Sequence, residues 1–241
     1  MSDFAPVGDG RYLAADVFAE WGIRALATTR AAGSFSNAAD EPVAAVMGRW
    51  SELQRHLFPH GEGRFATAHQ VHGADVVDHV PGWAGWLRAS AADGHLSPER
   101  GTAMAVTVAD CVPVYVAHPS GATAMLHAGW RGTAAGILGV AVRRLAALRR
   151  RPSELRVLLG PAVCGRCYEV SPDVYQQLTG RAVDRPTTVA LHDVLADQAR
   201  ALGVRDVHAT ALCTRCDNDR LFSHRAGDGG RQLGVLVADA A

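Results

Sequence analysis

A chain of 241 residues that is 48% hydrophobic and 20% charged carries enough apolar mass for a full core, so one domain over residues 1–241 is expected. A formal net charge of +0 argues against a general nucleic-acid or membrane partner, since such binding rests on a clustered excess of one sign. All 24 basic side chains are arginine, which excludes lysine Schiff bases, a lysine general base and the Gly-Lys phosphate loop; phosphate must be held by Arg, backbone N–H groups or a metal.

No apolar stretch approaches the roughly 18 residues of a membrane helix, and the first residues lack the basic and apolar regions of a signal peptide, so a cytoplasmic location is expected. Residues 23–29 read as a strand with Arg30 at its end, and residues 30–40 as a small, polar loop. Residues 42–58 have the helical spacing of Val43, Val46, Met47, Trp50, Leu53 and Leu57. Residues 64–69 and 74–80 read as short strands joined through residues 70–73, which hold Gln70 and His72. Residues 81–100, with the turn Ala92-Asp93-Gly94, are expected to be mostly loop. Residues 102–108 form an apolar strand that runs into Ala109-Asp110-Cys111. Residues 112–117 continue as a second, with Pro113 better suited to an edge or bend than to a central strand.

Residues 122–127 return as a strand ending at His127. Gly129 and Gly132 then bracket Trp130 and Arg131, and residues 133–148 read as a helix whose N-terminal N–H groups, near Thr133, would attract anions beside Arg131. Further on come a strand at 155–160, a helix capped by Ser171 with Pro172 first, a helix at 189–202, and strands at 207–211 and 232–238. Strands and helices mix without steady alternation, which favours an α+β design with mixed β-sheets over a doubly wound one.

Three strand-end junctions carry soft or borderline ligands: His72, Cys111 and His127. Two imidazoles and one thiolate suit zinc, and three protein ligands leave a position open for water or substrate, as in a catalytic site. The same residues permit a metal-free hydrolase or amidase with Cys111 as nucleophile and His127 as base, oriented by Asp110 or Asp93. A non-enzymatic, metal-retaining regulatory protein is the third reading. Cys164/Cys167 and Cys213/Cys216 form two C-x-x-C pairs after expected strands; a structural metal, disulfides and free thiols all stay open. Among the 11 histidines there is no His-x-His pair, which argues against multicopper oxidation.

The segments Thr28-Thr29-Arg30, Gln70-Val71-His72-Gly73, Ala92-Asp93-Gly94, Ala109-Asp110-Cys111, His127-Ala128-Gly129-Trp130-Arg131-Gly132, Gly160-Pro161, Tyr168-Glu169-Val170, Cys213-Thr214 and Phe222-Ser223-His224-Arg225 stand in a familiar order. The chain resembles the laccase-domain, or polyphenol oxidoreductase, family, now regarded as purine nucleoside phosphorylases. The resemblance implies mixed sheets layered between helices, shared distantly with toxin deamidases, and zinc on His72, Cys111 and His127. It implies phosphorolysis of adenosine, inosine, guanosine and methylthioadenosine, with adenosine deamination as a second reaction, in a monomer or weak homodimer. Fitted to it, Arg30, Arg131 and Thr133 are expected to hold phosphate, Gln70 to read the substrate, and Asp93 to serve as acid or base. The loop after Arg30 lacks the Asn-Leu-Gly of the family, and the paired cysteines are not general to it.

Overall fold

The computed structural model describes residues 4–36, 41–59, 61 and 63–240; part of the loop expected at 30–40 lies outside the described residues. The strands are β1 (Ala5–Val7), β2 (Tyr12–Ala15), β3 (Ile23–Thr28), β4 (Arg64–His69), β5 (Val76–Asp78), β6 (Gly85–Ala91), β7 (Gly94–Ser97), β8 (Thr102–Val108), β9 (Val112–Ala117), β10 (Thr123–Ala128), β11 (Arg156–Leu159), β12 (Glu169–Val170), β13 (Thr187–Thr188), β14 (Asp206–Ala209) and β15 (Gln232–Ala238). The α-helices are α1 (Val43–Leu57), α2 (Trp130–Ala134), α3 (Ile137–Ala147), α4 (Pro172–Thr179) and α5 (Leu191–Ala201).

Two mixed sheets result, in the orders β1-β2-β3-β15-β8-β4-β6 and β14-β11-β9-β10-β7-β5, with β12 and β13 as a small ribbon. The central strands read as continuous apolar runs because both of their faces are covered. In β15, Leu233, Val235 and Val237 pack under α1 with Val46, Trp50, Leu53 and Leu57, while Leu236 and Ala238 face the other sheet. In β10, Ala124, Leu126 and Ala128 pack against α3, and Met125 faces inward between the sheets. The layers therefore run α1, first sheet, second sheet, then α3 and α5, which is the α+β layering expected.

The two sheets are held close. A Cβ on Gly234 would fall 2.6 Å from Met125 Cε and 2.6 Å from Pro113 Cβ. The buried Tyr115 hydroxyl donates across the interface to the Leu26 carbonyl at 2.8 Å.

Three expectations need correction. Residues 81–100 contain β6 and β7: β6 is a half-exposed edge strand paired parallel to β4, and β7 is a fully buried Gly-His-Leu-Ser segment paired with β10 and β5. Neither has the β-branched signature of a strand, so pairing with neighbours decides their state. Pro113 sits in a central strand, near its start, where β11 has ended and Gly160 N–H bonds to the Pro113 carbonyl. The expected helix over 133–148 is two helices: α2 begins at Trp130, and Gly136, at φ 75°, breaks the path before α3.

Candidate active site

The chain crosses from the first sheet to the second three times at one end of the molecule, and the middle crossing, between β6 and β7, carries Asp93. Between β4 and β5 it presents His72; between β8 and β9 it presents Cys111. His127, next to last in β10, lies alongside. The crossings that present His72 and Cys111 each contain a non-glycine residue at positive φ, His72 at 61° and Asp110 at 83°, conformations that surrounding contacts must enforce. One ligand atom from each of His72, Cys111 and His127 lies within 4.8 Å of the others. The two imidazoles stand T-shaped with centroids 4.8 Å apart.

Asp93 enforces this arrangement. Its side chain is fully buried, and each oxygen accepts twice: Oδ1 from His72 N–H (2.9 Å) and His127 Nδ1 (2.8 Å), Oδ2 from Val71 N–H (3.1 Å) and Gly73 N–H (2.7 Å). Burial pushes its carboxyl up, but His127 and the Gly73 and Val71 N–H groups outweigh that and hold it below the usual range. With Nδ1 so engaged, His127 presents Nε2 to the site. Burial also raises the Cys111 thiol, yet the charge and hydrogen bond of His127, joined by His72, bring it down to about 6. Against burial, Cys111 and Asp93 lift His127 to about 9.

The cluster opens on a cleft of about 1380 Å³. Arg131, exposed, lies over the Trp130 ring at 4.4 Å and has no ion pair among the described residues. Arg225 lies over the Tyr168 ring at 4.7 Å, and both line the cleft. Asp110 secures that wall: Oδ1 accepts from the Thr214 hydroxyl (2.6 Å) and Oδ2 from Arg225 N–H (2.7 Å). It is thereby engaged away from His127. Tyr168 and Arg225 belong to recognised segments, but nothing in their spacing marks them as neighbours; the fold brings them together.

Gln70 lines the cleft with its amide pinned to β8, donating to the Thr107 carbonyl and accepting from Thr107 N–H and hydroxyl. Arg30 and Thr133, expected to hold phosphate, do not line it. The Arg30 guanidinium is consumed by Asp228 and by the carbonyls of Asn218 and Leu221, and it stacks on Phe222. Thr133 is fully buried, and its N–H is spent on the Gly129 carbonyl inside α2.

Among the described residues no helix is long and apolar enough to cross a membrane. The family model described as multi-copper polyphenol oxidoreductase laccase matches residues 30–239. A purine nucleoside phosphorylase of Streptomyces griseus is 36% identical over 214 residues, 83% of this chain and 84% of that protein. One from Streptomyces coelicolor is 37% identical over 211 residues, 83% and 85%. The crystal structure of YlmD from Geobacillus stearothermophilus superposes with a TM-score of 0.86 at 25% identity, covering 99% of this chain and 100% of that one. Sequence and fold agree: the chain belongs to the laccase-domain family, whose curated relatives carry the name purine nucleoside phosphorylase.

Proposed function

We propose that this chain is a zinc-dependent purine nucleoside phosphorylase acting on adenosine, inosine, guanosine and methylthioadenosine, with adenosine deamination as a side activity. The observation that carries the reading is the convergence of His72, Cys111 and His127 at a cleft walled by arginines and aromatic rings. These residues fit the ion: two imidazoles and a thiolate are its usual donors, and Asp93 leaves His127 Nε2 free. Space is kept as well, because a Cβ on Gly129 would sit 2.8 Å from Cys111 Sγ. Zinc bound there supplies a Lewis acid and a water of lowered pKa, with one position left open.

In phosphorolysis a phosphate oxygen bonds to the ribose C1′ while the C1′–N9 bond breaks, its electron pair leaving with a purine that takes up a proton. Arg131 and Arg225 hold the phosphate dianion, the only task here that needs two unneutralised cations. Trp130 and Tyr168 offer ring faces and exclude water. Burial, then the Cys111 charge, raise the Tyr168 phenol, so its Oη keeps a proton that it can give to the departing base. Asp93, expected as acid or base, is in this reading a positioning residue, since all its acceptor sites are engaged. Gln70 braces the cleft through Thr107.

The low-lying Cys111 thiol favours one rival, the metal-free cysteine hydrolase. Metal analysis combined with phosphate-dependent release of adenine from adenosine separates the two. The proposal expects zinc, adenine release that requires phosphate, and a Cys111 protected from alkylation. A zinc-free protein whose Cys111 alkylates readily and which releases no adenine overturns it in favour of the thiol enzyme; zinc without turnover of any nucleoside favours the regulatory reading.

A further inference from the structure

Away from the cleft, the second pair of cysteine motifs also converges. Cys164 and Cys167 lie in the loop after β11, Cys213 and Cys216 in the loop after β14, and these strands pair in parallel so that both loops leave the same sheet end. A bridge between Ala162 and Cys213 and the bond from Thr214 N–H to the Ala162 carbonyl (3.0 Å) keep the loops in register. The four Sγ atoms lie within 4.8 Å of one another, with Cys167 and Cys216 at 3.6 Å. For a Zn–S bond of about 2.3 Å, the sulfurs of a tetrahedral site stand about 3.8 Å apart. The observed spacing brackets that value and leaves room for a single ion. It does not pair the sulfurs two by two, as disulfides at about 2.05 Å require.

The surroundings suit thiolates. Cys213 Sγ accepts from Cys164 N–H (3.2 Å) and from Cys216 N–H (3.4 Å), bonds that offset negative charge on sulfur. Each motif encloses one arginine, Arg166 and Arg215, so the local sequence supplies two positive charges against the excess of two that four thiolates leave on a divalent ion. Cys213 is buried and Cys216 exposed, as at a closed site near a surface.

We infer that Cys164, Cys167, Cys213 and Cys216 form a structural zinc site, separate from the cleft, that clamps the two loops. It acts on the wall of the cleft from behind: Tyr168 directly follows Cys167, and Thr214, between Cys213 and Cys216, holds Asp110. The inference does not depend on the nucleoside reading.

Metal stoichiometry of the full-length chain tests it. The native protein should hold about one zinc ion per chain more than the C167S/C216S variant, and H127A should keep that ion. Cobalt exchanged into H127A should give the visible and charge-transfer bands of a tetrathiolate site, a readout that stands even where the serine variant fails to fold. Equal zinc in the native and serine proteins, a cobalt spectrum without those bands, iron in place of zinc, or a disulfide mass in the unreduced chain would each overturn the inference.

Discussion

Asp93→Asn removes one acceptor atom from a site that uses two, each twice. If the retained oxygen keeps His72 N–H and His127 Nδ1, the new NH₂ faces the N–H groups of Val71 and Gly73, at distances now set to 3.1 and 2.7 Å. Two hydrogen bonds to a charged acceptor are lost, worth roughly 3–6 kcal/mol at the usual 1.5–3 each. That is a large share of the roughly 5–15 kcal/mol that holds a domain folded. At about 2–4 °C per kcal/mol for a chain of this size, the apoprotein should melt at least about 6 °C lower. Turning the amide over instead sacrifices His127, with the same loss and a misdirected imidazole. Loosening a group that orients a ligand should also weaken zinc roughly 10–100-fold. Thermal unfolding after metal removal and a chelator competition read the two effects separately. A melting point within about 2 °C of native and an unchanged zinc affinity would refute the view that this carboxylate organises the ligands.

Removing a ligand outright, as in His127→Ala, should lower phosphorolysis by more than the roughly 10–100-fold expected of a supporting residue, with zinc lost from that site by metal analysis. Arg131→Gln should raise the phosphate KM by roughly tenfold or more, the value of one charge-assisted bond, whereas Arg30→Gln should leave that KM unchanged and lower the melting temperature. Gly129 has ordinary backbone angles, φ −77° and ψ 178°, so Gly129→Ala strains no torsion; its Cβ, 2.8 Å from Cys111 Sγ and 3.3 Å from His72 Cδ2, should expel metal while far-ultraviolet circular dichroism stays native. Burial raises the Asp228 carboxyl, but Arg30, Ser223 N–H and Asn218 more than offset it and hold it below 3.8. Its stabilisation is therefore complete above the unfolded pKa and fades as pH falls below about 4, so melting temperature should drop steeply from pH 5 to 3 in native protein and less steeply in Arg30→Gln. Equal acid slopes would count against the assignment.

Much of the fold is written in local pattern. β15 is an apolar run from Leu233 to Ala238, and in β4 and β8 the apolar residues are interrupted inside the strand only by Thr67 and Thr107, so their limits follow from local pattern. β6 and β7 are not legible in this way, because an edge strand with Trp, Leu, Arg and Ser and a buried strand with Gly and His owe their state to partners distant in sequence. Within the site, His72, Cys111 and His127 stand out as polar residues where apolar runs end. Arg30 stands out in the same manner yet is spent on Asp228, 198 residues away, a contact that no spacing announces. Thr133 misleads for a different reason: the glycine turn before it is already helical, so the free N–H groups lie earlier in the chain and α2 has only five residues. Asp93 reads as turn chemistry beside Gly94, and only the tertiary fold turns that carboxylate toward three consecutive amides.

The two crossings that present His72 and Cys111 are, like the one that carries Asp93, covalent links between the sheets at that end, and His127 belongs to the second sheet alone. An ion shared by all three would tie local fluctuations of the links to those of β10, so its binding free energy would be stored in the suppression of a partial opening rather than in the centre of the core. Amide hydrogen exchange would make this visible as a gradient. Chelation should quicken exchange at the Val71, His72 and Gly73 amides held by Asp93, while β15, sealed between α1 and the opposite sheet, should exchange as slowly as before.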